Sequence, residues 1–157
     1  MILNTYFSIK ETNFVIRPLI YNDYNKNYLF LLQQLTQLDP EQINNDIFNH
    51  FVDSLNPKHT VVVVENTDTN KIVGTITSLI EHKIIHNMGF VCHIEDVVVD
   101  EKYRGYGLGK LLLESAIQYA KENKCYKTIL DCSDNNVGFY EKNGGFEVKG
   151  RCMALYH

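Results

Sequence analysis

The sequence lacks the features of a membrane or exported protein. It contains no apolar run as long as the ~18–20 residues that a membrane-spanning helix needs. Residues 1–10 also lack the order of basic, apolar and small residues that marks a secretory signal. We therefore expect a cytoplasmic protein that does not enter the membrane.

An excess of positive charge is also missing. The chain has 15 Lys and Arg against 19 Asp and Glu, which gives a formal net charge of -4. Nucleic-acid binding needs a basic surface that neutralises phosphates, so this balance argues against a nucleic-acid partner. An anionic small molecule needs only one local positive site and stays possible.

Cysteine occurs without paired spacing. The 4 cysteines form no Cys-x-x-Cys pair and no metal-ligand pattern, which disfavours a zinc site or a redox motif. We expect free thiols and no bound metal. The cysteines are Cys92, Cys125, Cys132 and Cys152.

The composition is that of a soluble globular protein. The 157 residues are 45% hydrophobic and 22% charged. They contain no internal repeat and no long low-complexity linker. We therefore expect a single domain that covers residues 1–157.

Hydrophobic periodicity predicts alternating strands and helices. The β-branched run at 61–64 reads as a buried strand, and the turn residues at 65–70 make a hairpin with the next strand. Apolar residues at helical spacing predict helices. Strands are predicted at 14–17, 61–64, 72–81, 90–99, 128–132 and 146–153, and helices at 23–38, from 39 to about 56, from 105–109 onward, and at 135–143.

The order β-α-α-β-β-β-α-β-α-β indicates a mixed α/β fold. The strand–helix–strand unit in its middle implies a parallel crossover inside a sheet that is otherwise antiparallel.

A glycine-rich turn between a strand and a helix is the most informative segment. Arg104, Gly107 and Gly109 have the spacing Arg-x-x-Gly-x-Gly at the start of the helix. Glycines let the backbone approach a ligand closely, and a helix N-terminus supplies unpaired N–H donors. Together they can form a cradle for a pyrophosphate. The cradle is predicted to comprise Arg104, Gly105, Tyr106, Gly107, Leu108, Gly109 and Lys110.

Two other interpretations of this turn stay open. Three glycines before a helix can be a tight connection without a ligand. A dinucleotide-binding fingerprint also competes, although Arg104 stands where that fingerprint has its first glycine. Asp131 is the nearest candidate for the acidic ribose partner of that fingerprint.

Further motifs accompany the turn. They are Lys-Ile-Ile-His at 83–86, His-Ile-Glu-Asp at 93–96, Cys-Tyr-Lys at 125–127, Leu-Asp-Cys at 130–132 and Asn-Val-Gly-Phe-Tyr-Glu-Lys at 136–142. With them the chain resembles the GNAT superfamily, and within it the eukaryotic-type glucosamine-6-phosphate N-acetyltransferases. The resemblance is close over the C-terminal half and looser over the N-terminal half.

The resemblance implies a fold and an activity. The fold is a central, mostly antiparallel sheet that splays at the cofactor-binding strand, with helices on both faces. The activity is direct transfer of the acetyl group of acetyl-CoA to the amine of glucosamine 6-phosphate in a ternary complex, which feeds UDP-N-acetylglucosamine synthesis. The family also implies an intertwined homodimer in which the last strand helps to build the partner's site.

The resemblance also assigns the acetyl-CoA side of the site. The turn at 104–110 holds the pyrophosphate, and Tyr140 hydrogen-bonds or protonates the departing thiolate. A phenol, with an ordinary pKa of about 10, is protonated at neutral pH and can donate. The backbone that holds the acetyl and pantetheine arm is that of Val97, Val98 and Val99, with Asp131 and Asn136 near the same arm.

The sugar side is assigned in the same way. Glu95 and Asp96 resemble the sugar-binding carboxylates, and these neighbours reach one pocket only if their strand bulges. The residues leave open whether a carboxylate, a backbone carbonyl or water accepts the ammonium proton. Lys83, His86 and Lys127 are candidate phosphate partners, and further substrate contacts are expected from Thr36, Ile84, Ile85 and Tyr126.

One position departs from the family pattern. Tyr156 stands where the family has a phosphate-binding arginine, and a strand would point Arg151 to the opposite face. This departure leaves two rival functions open. One is a GNAT acetyltransferase for another amine, such as another amino sugar, an amino acid, a polyamine or a peptide N-terminus. The other is a non-catalytic acyl-CoA-binding module.

Overall fold

One curved sheet organises the chain. The structure, a computed structural model, describes residues 4–156. The sheet has 6 strands in the order of the sequence, and all neighbours are antiparallel except the last pair. The strands are β1 (Thr5–Ile9), β2 (Thr12–Pro18), β3 (His59–Asn66), β4 (Lys71–His82), β5 (Phe90–Val99) and β6 (Cys125–Leu130).

Helices fill the connections. The long helix between β5 and β6 makes the predicted crossover to a parallel strand. The helices are α1 (Tyr28–Leu32), α2 (Asn45–Ser54), α3 (Ile85–Met88), α4 (Leu108–Glu122) and α5 (Asp134–Gly144). In the four-residue α3, His86 and Asn87 have left-handed backbone angles, so this element is a tight turn.

Both faces of the sheet are covered by apolar side chains. On one face, α4 packs its buried leucines against alternate residues of β3, β4 and β5. On the other, α1 and α2 pack on the opposite set of β3 side chains. The central residues of β3 are therefore buried on both faces, which explains their continuous run of valine. The first face includes Val62, Val64, Ile76, Ile94, Leu112 and Leu113, and the second Leu31, Phe48, Val61, Val63 and Ile72.

The first strand was not predicted. β1 pairs with β2 through a hairpin whose turn residues, Lys10 and Glu11, have φ of 50° and 63°. A hairpin turn of this kind ordinarily has Asn or Gly at these positions. The sequence therefore gave no turn signal between β1 and β2.

The first predicted helix, 23–38, is wrong in its extent. Residues Tyr21–Asn25 form a 3₁₀ turn, and Asn27 then adopts a left-handed conformation with φ of 69°. The Lys26 carbonyl accepts a hydrogen bond from Ile72 N of β4 at 2.7 Å. This carbonyl therefore bonds to a strand and not to an N–H group of a helix. Only Tyr28–Leu32 is α-helical in this segment.

The second predicted helix begins later than expected. Asp39 caps a short 3₁₀ turn, Pro40–Gln42, by accepting a hydrogen bond from Glu41 N at 3.1 Å. The α-helix itself starts at Asn45, where the Asn44 side chain accepts from Ile47 N at 2.9 Å. Asp39 is therefore a cap, as predicted, but it caps the short 3₁₀ turn and not the α-helix.

The last two predicted strands also need correction. The strand predicted at 128–132 runs earlier, as Cys125–Leu130, because its residues pair with Phe90 to Ile94 of β5. Between residues 4 and 156 no strand follows β6, so the strand predicted at 146–153 is absent. A strand needs a hydrogen-bonded partner, and β6 ends the sheet without one on its outer edge.

A buried ion network joins β2, β3 and the segment before α1. Arg17 Nη2 lies 2.6 Å from both Asp23 Oδ1 and Glu65 Oε2. Lys26 Nζ lies 2.6 Å from Glu65 Oε1. Burial alone would raise the pKa of Glu65, but hydrogen bonds from Lys26 and Arg17 outweigh burial and lower it. The Glu65 carboxylate is therefore buried as a charged, paired group.

We expect Arg17→Met to destabilise the fold strongly. Methionine keeps much of the volume but leaves Asp23 and Glu65 buried with too little positive charge, which costs about 3–5 kcal/mol. Urea unfolding at neutral pH measures the loss. Lys110→Met is the control, because its pair with Glu114 is exposed and 3.7 Å long, and it should cost at most about 0.5 kcal/mol. Equal small losses in both variants would contradict the account.

Candidate active site

A cleft opens where β5 and β6 part. Their parallel pairing ends at Ile94 and Leu130, while β5 continues to Val99. The cleft has a volume of about 460 Å³. It brings together the predicted residues Thr36, Glu95, Asp96, Val97, Asp131, Asn136 and Tyr140. Leu35, Cys132 and Ser133 also line the cleft and are not among the site residues predicted from the sequence.

A β-bulge in β5 lets two adjacent carboxylates line this cleft. Thr77 of β4 pairs with Glu95 and Thr75 pairs with Val98, so one residue of β4 faces two of β5. Asp96 has φ of 50°, in the left-handed region. The bulge that the family resemblance implied at Glu95 and Asp96 is therefore present.

The two carboxylates have different electrostatic surroundings. Partial burial raises the pKa of Glu95, and the charges of Asp96 and Asp131 raise it further, while His93 opposes them. The charge of Asp96 also acts on Tyr28 of α1, whose pKa burial raises to about 12. The Glu95 carboxylate therefore binds a proton more readily than the carboxylate of a free glutamate does.

Tyr140 reaches the cleft from α5. Its ring is 9% exposed and makes edge contacts with Phe139 and Phe146, with ring centroids 5.1 and 6.1 Å away. Burial raises the pKa of its hydroxyl, and the nearby Cys132 raises it further. The hydroxyl is therefore protonated at neutral pH, as a hydrogen-bond donor must be.

The glycine turn has the geometry of an anion cradle. Gly105 and Gly107 have φ of 80° and 79°, and a Cβ on either would meet no atom within 4 Å. Helix α4 begins at Leu108, so its first N–H groups have no partner within the helix. Open space beside unpaired donors at the positive end of a 15-residue helix fits a pyrophosphate.

Other residues of the turn have structural contacts. Leu108 is buried in the core, and a Cβ on Gly109 would lie 3.3 Å from the Phe139 ring. The Tyr106 ring packs against Phe14 with centroids 6.2 Å apart. Lys110 is exposed beside Glu114. Gly109 is therefore small because α4 and α5 pack closely there, a reason that the spacing alone does not reveal.

The three valines after the bulge differ in burial. Val98 is buried beneath α1 and α2, while Val97 and Val99 are half-buried and pack toward the α4 face. Because β6 pairs with β5 no further than Ile94, the β6-facing backbone edge of these valines has no strand beside it. This edge can hydrogen-bond an extended ligand.

The remaining predicted residues lie at the other end of β5 and β6. The His86 ring packs against the Tyr126 ring at a tilt, with centroids 4.2 Å apart, and Lys127 Nζ lies 5.8 Å from the Tyr126 ring centroid. We call His86, Tyr126 and Lys127 the turn cluster. Lys83 forms an ion pair with Glu81. Ile84 and Ile85, between Lys83 and His86, are exposed, with Ile84 85% exposed.

The C-terminal segment lies beside β6 without joining the sheet. Arg151 and Lys127 line the same groove along this strand. Tyr156 is 91% exposed and is not among the groove residues. Because 146–153 is not a strand, strand alternation does not fix where Arg151 points.

Two absences hold for the described residues. Across 4–156 no group of three or more His, Cys, Asp or Glu side chains is placed to hold a metal ion. In the same stretch no helix is both long and apolar enough to cross a membrane.

Known sequences resemble this chain along most of its length. The profile of the Acetyltransferase (GNAT) family matches residues 18–146. Glucosamine 6-phosphate N-acetyltransferase 1 of Dictyostelium discoideum is 38% identical over 95% of this chain and 94% of its own length. A probable glucosamine 6-phosphate N-acetyltransferase of Drosophila melanogaster is 37% identical over 89% of this chain, and the match spans 64% of that longer protein.

A solved structure agrees with the fold. The crystal structure of glucosamine-6-phosphate N-acetyltransferase from Arabidopsis thaliana superimposes with a TM-score of 0.87 at 38% identity. The match covers 91% of this chain and 97% of that one. From the bulged β5, the glycine turn before α4 and these matches, it follows that the chain belongs to the Acetyltransferase (GNAT) family.

Proposed function

We propose that this chain transfers the acetyl group of acetyl-CoA to the amine of glucosamine 6-phosphate. The observation that carries the proposal is the cleft, which gathers Glu95, Asp96 and Tyr140 beside the free edge of β5. The names of its relatives in Dictyostelium and Arabidopsis give the same substrate. We also propose a cytoplasmic location and a role in supplying UDP-N-acetylglucosamine, as expected from the sequence.

Each part of the site has a proposed task. The turn at 104–110 binds the pyrophosphate of acetyl-CoA, and the backbone of 97–99 binds its arm, with Asp131 and Asn136 nearby. Acetyl-CoA supplies the activated thioester. The carboxylates bind and orient the sugar so that its amine attacks the carbonyl carbon directly. The Tyr140 hydroxyl donates to the sulfur as the carbon–sulfur bond breaks.

The turn cluster and the cleft lie far apart in one copy of the chain. The turn cluster includes Tyr126 at the start of β6, and the cleft includes Asp131 just beyond its end. Five residues of extended strand separate them by about 16 Å. A hexosamine phosphate is shorter than that distance. We therefore propose that the phosphate is bound by the turn cluster and Lys83 of a second copy.

The C-terminal segment supports the same assembly. Val148, Met153, Leu155 and Tyr156 are all exposed, although such side chains are ordinarily buried. The outer edge of β6 has free backbone groups, which readily pair with another strand. We propose a homodimer in which residues 146–156 of each copy pair with the partner's β6.

A second candidate function is acetyl transfer to another amine. The exposed Tyr156, in place of an arginine, favours it, because one charge-assisted phosphate contact is worth about 1.5–3 kcal/mol. A non-catalytic acyl-CoA-binding module is less well supported, because Tyr140 and both carboxylates line one cleft.

Thiol release from acetyl-CoA tests the substrate. We expect fast release with glucosamine 6-phosphate, and at least ~10-fold lower kcat/KM with glucosamine, which lacks the phosphate contacts. Galactosamine 6-phosphate reports on sugar orientation, and glucose 6-phosphate, which has no amine, should release nothing. Binding of coenzyme A without turnover of any amino sugar would contradict the proposed substrate and favour another amine.

We expect Tyr140→Phe to lower kcat by about 100-fold, because the departing thiolate loses its proton donor. The KM for acetyl-CoA should change little, since the ring and its packing remain. Tyr6→Phe is the matched control, because Tyr6 is exposed on β1, and it should leave kcat unchanged. An unchanged kcat in Tyr140→Phe would remove Tyr140 from the chemistry.

Light scattering tests the assembly. We expect a mass of about 36 kDa, twice the 18.2 kDa of one chain. A mixture of Tyr140→Phe and Lys127→Ala chains, each impaired alone, should regain activity when the two are unfolded and refolded together, because some mixed dimers then carry one complete site. An 18 kDa species, or no recovery despite mixed dimers, would contradict the shared site.

A further inference from the structure

His93 lies on β5 between the turn cluster and the cleft. Its Nε2 is 2.9 Å from Glu81 Oε2 on the neighbouring strand β4. The other carboxylate oxygen of Glu81 pairs with Lys83. Because a carboxylate only accepts, His93 donates from Nε2, and the ring is held in one orientation. The mechanism proposed above gives this Glu–His pair no task.

Glu95 follows His93 on the same face of the strand. The two residues precede the bulge, so alternation holds and their backbones are about 7 Å apart. Burial raises the pKa of Glu95, and the negative charges of Asp96, from the bulge, and Asp131, beyond β6, raise it further. The Cys152 thiol of the C-terminal segment is also within reach of Asp131 and Glu95. His93 is the group near Glu95 that acts in the opposite direction.

We propose that His93, held by Glu81, is a positioning residue that keeps the Glu95 carboxylate ionised for accepting the proton of the substrate ammonium. The inference rests on the proposed function and names the proton acceptor of that site. The Glu95 carboxylate takes one proton from the ammonium, which leaves a neutral amine and a neutral carboxylic acid. The amine then has a lone pair for attack on the thioester carbonyl.

The arrangement accounts for how Glu95 can accept a proton although Asp96 and Asp131 lie nearby. Without His93, burial and the charges of Asp96 and Asp131 act unopposed and increase the fraction of Glu95 that is protonated at a given pH. A protonated carboxyl group cannot accept a second proton. With His93, the imidazole on the same face of β5 acts on Glu95 in the opposite direction. Glu81 keeps that ring in place from β4, the strand that also pairs with β5 at Glu95.

NMR titration of the Glu95 side-chain carboxyl carbon tests the proposal in the free, full-length protein. Glu95→Gln identifies the signal. We expect His93→Gln, which keeps a hydrogen-bond donor but carries no charge, to raise the Glu95 pKa by about 0.5 unit. His93→Arg, which is always charged, should leave it at or below the wild-type value. The shift should shrink in high salt.

Further measurements separate this role from a structural one. His50→Gln, an exposed histidine on α2, should leave the Glu95 signal unchanged. In the pH profile of kcat/KM, the loss of activity on the acidic side should begin at a higher pH in His93→Gln but not in His93→Arg. A Glu95 pKa that is the same in both His93 variants would overturn the proposal. Because the titration needs no substrate, it stands apart from any failure to acetylate glucosamine 6-phosphate.

Discussion

The bulge at Asp96 is the constraint on which the site depends. Up to Ile94, β5 is an ordinary strand between β4 and β6, and beyond it the β6-facing edge of β5 has no neighbour. The extra residue rotates the strand, so that Glu95 and Asp96 line one cleft instead of opposite faces. A non-glycine residue at φ of 50° is uncommon, and such conformations concentrate at functional sites.

The surrounding fold holds this strained segment in place. Leu112 and Leu113 of α4 pack beneath the sheet on one side, and α1 covers Val98 on the other. The same β5–α4 connection sets the glycine turn at the end of the bulged strand. The path proposed for acetyl-CoA follows the free edge of β5, between the N-terminus of α4 and Tyr140. The network around Arg17 joins the strands farther from the site.

Sequence patterns predicted the middle of this fold well and its ends poorly. Strand β5 was predicted at its observed bounds, whereas the bulge was expected from the family resemblance, which assigns both adjacent carboxylates to one pocket. The turn at Lys10 and Glu11 gave no signal, because neither residue is typical of a left-handed turn. Gly109 was selected for a ligand, although Phe139 explains its size. Which ends of β5 and β6 lie side by side depends on strand register, which local spacing does not contain.

A structure of the protein with coenzyme A and glucosamine 6-phosphate tests the central claim most directly. The claim is that both substrates meet at the bulge of β5. We predict the pyrophosphate on the N–H groups of residues 105–110, the sugar amine within hydrogen-bond distance of Glu95 or Asp96, and the phosphate against the turn cluster of a second copy. A sugar phosphate bound away from the bulge, or held wholly by one copy, would contradict the account.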